Sequence, residues 1–336
     1  MQRIAIGSSG VQTSRIGLGT WAIGGWMWGG TDERESIDTI RAAVERGVTL
    51  IDTAPVYGFG RSEEIVGKAL SGGLRDKVQI ASKVGVAWQD GNVFRDSRPE
   101  RIRKEVEDSL RRLRTDVIDL YQVHWPDPQL PITQTALVLD DLRTEGKIRA
   151  IGVSNYSAED MAAWRLVARL DALQSPYNLF EREIEAGPFP YARRAQLTVL
   201  GYGALCRGLL SGRMSADTAF SGDDLRRRDP KFQGARFRQY LAAVAALKSL
   251  ARERFGKSVL ALAVRWVLDR GRTIALWGAR HPAQLAPLEE IDGWRIDDAA
   301  AHEIDAILAR CITDPVSPEF MAPPARNLTQ LEGAEA

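Results

Sequence analysis

Short apolar runs recur along the chain, and most are followed by a longer segment whose apolar positions return every third or fourth residue. The run at Val48, Leu50 and Ile51 reads as a buried strand. It stops at the acid Asp52, and the pattern breaks at Pro55 and Gly58, with Tyr57 in the loop between them. Comparable strands are predicted at Arg15–Trp21, Lys77–Gly85, Val117–His124, Ile148–Ser154, Leu170–Ser175, Leu197–Gly203 and Thr273–Ala279. Between them, Ile37, Ile40 and Val44 mark a helix that Gly47 stops. Ile102, Val106, Leu110 and Leu113 mark another. Further helices are predicted at Ser62–Leu70, at Thr133–Glu145 and from Ala158.

Strands that alternate with helices at this spacing pair in parallel through right-handed crossovers. Eight such units with no change of pattern predict a closed α/β architecture, a (β/α)8 TIM barrel, rather than an open doubly wound sheet. The GxGxxG fingerprint of an open dinucleotide-binding sheet is absent, and Gly24–Gly30 does not supply it. Two alternating pieces between Gln2 and Ile16, separated by Ser8-Ser9-Gly10, predict an N-terminal β-hairpin. The polar stretch Gly212–Tyr240 predicts an extended loop after the seventh strand. Its Arg226-Arg227-Arg228 run suits either a phosphate clamp or, as the ordinary reading, a solvated loop face. We therefore expect one domain over residues 1–336, with a core at about 15–310 and a proline-rich tail at 314–336. That tail is expected to cover the barrel mouth, meet a neighbouring subunit or stay partly disordered.

Composition narrows the function. Forty-five Lys and Arg against 44 Asp and Glu leave a formal charge of +1, which gives no general attraction to nucleic acid or an anionic membrane. Cys206 and Cys311 form neither a disulfide framework nor a CxxC site, which fits a reducing cytoplasm. No signal peptide and no membrane-spanning run are expected. With His124, His281 and His302 as the only histidines, no metal site is expected either.

In a barrel of this kind, chemistry is done at the carboxyl ends of the strands. Those ends carry Asp52 and Tyr57, Lys83, His124, Ser154 with Asn155, and Gln174. Taken singly, each has an ordinary structural explanation, but four ionisable types at one rim point to a site. The set suits proton donation to a carbonyl oxygen. A free phenol titrates near pH ~10, and a lysine ammonium beside Tyr57 is expected to lower that value. Asp52 would hold Lys83, and His124 would orient the substrate oxygen. No Ser-His pair, GxSxG or HExxH is present, so reduction would need hydride from a bound cofactor.

The pieces GLGTW, LIDTAPVYGFGRSEEIVGKAL, ASKVG, IDLYQVHWPD, KIRAIGVSNYS, YNLFER, GYGALCRGLLSG and GARHPAQL resemble the aldo-keto reductases from about Arg15 to the end of the barrel. The resemblance is strongest to the bacterial branch that includes the general stress enzymes. It implies a catalytic tetrad of Asp52, Tyr57 as general acid, Lys83 and His124, with NADPH, or NADH as the alternative, lying over the barrel mouth. Thr20, Trp21 and Asp52 would border that cofactor. Ser154, Asn155 and Gln174 would hold the carboxamide, and Tyr202 would stack on the nicotinamide. Gly203, Leu205, Arg207, Gly208 and Leu209 would follow the pyrophosphate. Gly278, Arg280 and Gln284 would meet the adenosine end.

Trp277 and Leu288 depart from the family pattern near that adenosine end. Trp21, Trp26, Trp28, Trp88 and Trp125 fall near the active rim. Trp21, Tyr57, His124 and Trp125 are expected nearest the substrate, a small-molecule carbonyl compound such as a sugar-derived aldehyde. The alternatives are a nucleotide-binding regulatory subunit with little turnover and a non-redox barrel enzyme.

Overall fold

The computed structural model describes residues 1–327. Eight parallel strands close a barrel: β1 (Ile16–Gly19), β2 (Leu50–Asp52), β3 (Gln79–Val84), β4 (Ile118–Val123), β5 (Ile148–Ser154), β6 (Ala172–Pro176), β7 (Thr198–Tyr202) and β8 (Thr273–Gly278). Each strand pairs with the next in sequence, and β8 closes on β1 with Gly278 opposite Gly19. Around them lie α1 (Glu33–Glu45), α2 (Arg61–Ala69), α3 (Pro99–Leu113), α4 (Ile132–Thr144), α5 (Ala158–Arg165), α6 (Pro188–Arg194), α7 (Gly234–Phe255), α8 (Val259–Leu268) and α9 (Asp298–Cys311).

Helix starts follow the local chemistry. Asp32 accepts from the Glu35 N–H at the head of α1, and Ser157 and Asp160 form a capping box on α5. Among the described residues no helix is long and apolar enough to cross a membrane.

Side-chain alternation along the strands positions the site. The barrel interior is packed by Leu50, Ala81, Leu120, Ala150, Ala172, Leu200 and Leu276. Two residues further along each strand, on the same face, stand Asp52, Lys83, Gln122, Gly152, Gln174, Tyr202 and Gly278. Apolar packing thus fills the lower barrel, and polar side chains start one layer higher. At the opposite end, Ile6 and Val11 of the antiparallel hairpin Arg3–Ala5 and Gln12–Ser14 join the interior cluster as a plug.

The long loop after β7 ends earlier than its polarity predicts. Helix α7 begins at Gly234, so the irregular segment stops before Tyr240. The helix is stabilised by burying Phe237, Tyr240, Val244 and Leu247, which its polar first turn conceals. A second antiparallel hairpin, Val86–Gln89 with Asn92–Arg95, stands on the carboxyl end of β3. The described part of the tail, to Asn327, crosses the barrel mouth, and residues 328–336 of the expected tail lie outside the described residues.

Candidate active site

The site begins with a buried ion pair. Lys83 Nζ lies 2.9 and 2.8 Å from the two Asp52 oxygens and 2.9 Å from the Thr53 carbonyl. Gln174 Nε2 donates to Asp52 Oδ1 at 2.8 Å and to Gln122 Oε1 at 3.3 Å. Thr20 lies behind this pair, its hydroxyl donating to the Asp52 carbonyl at 2.9 Å. Gln122 is thus a member of the polar layer that motif reading missed, although its place two residues beyond Leu120 would have found it.

Tyr57 lies above the pair, 9 % exposed. The ammonium of Lys83 is 5.0 Å from the centre of its ring. His124 meets the ring edge-on at 5.7 Å, and Trp21 stacks on it at 6.0 Å. Two glycines fix the loop that carries it. Gly58 has φ +66°, and a Cβ there would fall 2.1 Å from the Gly24 carbonyl oxygen. A Cβ on Gly24 would fall 2.6 Å from the Tyr57 backbone. The β1 and β2 loops therefore touch backbone to backbone directly beside the phenol.

The electrostatics differ from the sequence expectation. Burial, and after it the Asp52 carboxylate, raise the Tyr57 hydroxyl well above the ordinary phenol range. Lys83 does not reverse this, because its charge is spent on Asp52. Burial lowers Lys83 itself, against the opposing pull of Asp52. Burial and the Lys83 ammonium hold His124 well below the usual imidazole range, so it is neutral at physiological pH.

A cleft of about 520 Å³ opens over these groups and runs along the carboxyl ends of the strands. Asp52, Tyr57, His124, Trp125, Asn155, Gln174 and Trp21 line one end. Asn155, at φ +61°, donates to the His124 carbonyl and to Ser154 Oγ, both at 3.0 Å. Its side-chain oxygen accepts from the Tyr202 hydroxyl at 3.0 Å. Ser154 and Lys83 thus stand behind the wall, while Tyr202, Gly203, Leu205, Arg207 and Gly208 form it.

Leu209 does not face the cleft but lies fully buried in the outer core. Arg207 reaches the wall with its guanidinium held inside by Glu181 at 2.5 Å and Asp229 at 2.6 Å. Gly278, Arg280 and Gln284 line the far end. Arg280 Nη1 donates to the Trp28 carbonyl at 2.9 Å, and Gln284 Oε1 accepts from the Arg280 N–H at 2.8 Å. Trp277 and Leu288 are buried in the core instead.

Arg226 is not on a solvated face. It is forked onto Asp224 at 2.6 and 2.9 Å, stacked at 4.3 Å on Phe220, and set against Trp28 in the cleft wall. Arg227 and Arg228, by contrast, are exposed. Of the tryptophans near the rim, Trp26 and Trp28 also line the cleft, and Trp88 packs behind on Phe59 at 5.6 Å. Segments that carried no motif add to the wall as well: Val86 and Val93 of the second hairpin, and Phe320, Met321 and Pro323 of the tail.

The wall suits a dinucleotide. It is long and joins amide groups at one end to a guanidinium at the other. Between them the Trp28 indole Nε1 is buried with no partner of its own.

The aldo/keto reductase family model matches residues 15–309. The chain is 58% identical over 329 residues to aldo-keto reductase YhdN of Bacillus subtilis strain 168, covering 97% of this chain and 99% of that protein. It is 36% identical over 301 residues to the NADH-specific methylglyoxal reductase of Escherichia coli K12, covering 85% and 91%. Among solved structures, the glycerol dehydrogenase AKR11B4 of Gluconobacter oxydans superposes with a TM-score of 0.87 at 54% identity, covering 95% of this chain and 99% of that one. With this barrel, and with these matches along nearly its whole length, the chain belongs to the aldo/keto reductase family, oxidoreductases that act on carbonyl groups with nicotinamide cofactors.

Proposed function

We propose that this enzyme reduces an aldehyde or ketone to the alcohol with NADPH, and that Tyr57 is the general acid. The observation that carries the reading is the position of the Tyr57 phenol at the cleft, between neutral His124 and the Lys83–Asp52 pair. A nicotinamide dinucleotide bound in the cleft supplies the hydride. The protein's own residues do the rest. His124, lacking a charge, orients the carbonyl oxygen without taking a proton from solvent. Tyr57 gives its proton to that oxygen as negative charge develops there. Its high pKa suits this direction, because the phenol remains protonated throughout the neutral range. The Lys83 ammonium, which Asp52 holds beside the ring, is the positive charge that faces the phenolate left behind. In the reverse reaction the phenolate is the base.

Asn155 and Gln174 are the polar groups suited to a carboxamide, and Tyr202 to a flat ring beside it. Arg280, with Gln284 holding its backbone, suits an added phosphate at the adenosine end and favours NADPH over NADH. The NADH specificity carried in the name of the Escherichia coli relative makes this preference a matter for direct measurement.

The substrate end is walled by Trp21, Trp26, Trp125 and Val56. Such faces pack against the C–H surface of a small oxygenated carbonyl compound, a class that includes sugar-derived aldehydes.

The test is a panel of aldehydes and ketones, followed by loss of NADPH absorbance. Tyr57→Phe should lower kcat/KM by about 10²–10⁴-fold while leaving the NADPH dissociation constant within about twofold. Retained turnover in that variant removes Tyr57 as the acid. Tight nucleotide binding with no turnover of any carbonyl by the natural enzyme favours the regulatory-subunit reading instead.

A further inference from the structure

The proline-rich tail crosses the mouth between two anchors. At the first, the Phe320 ring lies against the Arg207 guanidinium at 5.7 Å and Lys231 Nζ at 5.4 Å. Met321 Sδ lies 3.5 Å from Arg207 Nη1. At the second, the Arg95 N–H donates to the Pro324 carbonyl at 2.9 Å, and Ala325 bridges Arg95 in parallel. The tail thereby adds an edge to the hairpin whose Val86 and Val93 line the cleft. Beyond that edge the Arg326 side chain enters a closed socket and is only 4 % exposed.

Within the socket, Arg326 Nη1 meets Asp96 Oδ1 at 2.5 Å, and Nη2 is 3.4 Å from Asp127 Oδ2. Its Nε donates to Gln129 Oε1 at 3.1 Å, and its carbonyl accepts from Gln129 Nε2 at 2.9 Å. The socket is fixed from its own side. Asp127 accepts from the Ser97 and Gln129 N–H groups, both at 3.0 Å, and Arg98 forks onto Asp96. Burial of both carboxylates makes the socket selective for a planar cation with several donors.

We propose that Arg326 is a specificity-determining positioning residue. By locking into the Asp96–Asp127 socket, it holds Phe320, Met321 and Pro323 as a fixed wall of the cleft and so selects small carbonyl substrates over bulky ones. Pro323 and Pro324 stiffen the span between the anchors, so a loss at the far anchor moves the wall rather than being absorbed by the chain. Neither Arg326 nor its partners touch the Tyr57 centre, so the effect is on which substrate fits and not on proton transfer. The inference rests on the reading of this cleft as the carbonyl site.

The experiment compares the natural enzyme with Arg326→Ala, Arg326→Lys and the double variant Phe320→Ala/Met321→Ala. Propanal and 2-naphthaldehyde are the short and bulky substrates, and chymotrypsin probes the bond after Phe320. In Arg326→Ala we expect the ratio of kcat/KM for propanal over naphthaldehyde to fall about tenfold, mostly through KM for propanal. NADPH affinity should hold, and Phe320 should become cleavable. Arg326→Lys should recover part of both effects. The double variant, which leaves the socket intact, should reproduce the change of ratio, and it decides the matter if Arg326→Ala does not fold.

An unchanged ratio in the double variant, or a Phe320 still protected in folded Arg326→Ala, overturns the proposal. Protection is read without turnover. An enzyme inactive on every carbonyl therefore refutes the functional reading while the protease result still judges the latch.

Discussion

Two lysines, Lys83 and Lys231, are both fully buried, and both are paired with carboxylates. Lys83 has one acid, Asp52, and its charge lies 5.0 Å from the ring of a tyrosine that borders the cleft. Lys231 belongs to a closed group of four charges. Its Nζ is 2.9 Å from Glu181 and 3.7 Å from Asp229, both of which also hold Arg207. Phe320 lies against this group, whose Arg207 reaches the cleft wall while Lys231 stays behind it. Arg207 and Lys231 together hold Glu181 at a pKa of about 2 despite its burial. The Tyr57 centre is balanced less completely, and the phenol beside it is raised. A buried ion pair set beside a proton donor at the cleft, as Lys83 and Asp52 are set beside Tyr57, can serve chemistry.

The comparison can be broken most sharply at Lys83. Lys83→Met should lower turnover about a thousandfold while nucleotide affinity, measured by fluorescence titration, stays near that of the natural enzyme. Turnover within tenfold would put Lys83 in the same structural class as Lys231. Glu181→Gln should do the reverse. It leaves Arg207 and Lys231 with Asp229 alone, and should cost about 3 kcal/mol of stability while kcat of the folded enzyme changes little.

The pH dependence of that stability loss follows from the direction of the shift. The folded pKa of Glu181 is depressed, so its contribution is complete above the unfolded value of about 4.3 and is lost as pH falls toward about 2. The difference in unfolding midpoint between natural enzyme and variant should therefore shrink across that window. A difference that persists at the acid end would assign the effect to packing.

Arg280→Ala should weaken NADPH binding about tenfold, the scale of a hydrogen bond to a charged group, and should leave NADH nearly unchanged. Equal losses would show that Arg280 does not read the extra phosphate. The smallest expected effect concerns His124 and Tyr57. Because His124 is held low and Tyr57 high, kcat/KM for reduction should show no inflection near pH 6.5, and alcohol oxidation should climb steadily into the alkaline range. An inflection at the ordinary imidazole value would overturn the neutral assignment for His124.

Much of this molecule is legible in the amino-acid order. Each barrel strand is a short apolar run with turn residues behind it. Two-residue alternation carries the inner face from Leu50 to Asp52, from Ala81 to Lys83 and from Leu120 through Gln122 to His124. The hairpin at Val86–Arg95 is harder to see, because its strands are four residues each and only its contacts with the cleft and the tail give it a buried side.

By itself, then, the sequence determined the barrel and the rim to which Asp52, Tyr57, Lys83 and His124 belong, since periodic burial is a local property of the chain. Only the tertiary structure decided that Arg226 packs inward, that Leu209 turns away from the cleft, and that Arg326 is buried against acids 230 and 199 residues earlier. It also decided that the Tyr57 phenol is raised rather than lowered. Those outcomes depend on desolvation and on partners supplied by distant segments, and neither is encoded in the spacing of neighbouring residues.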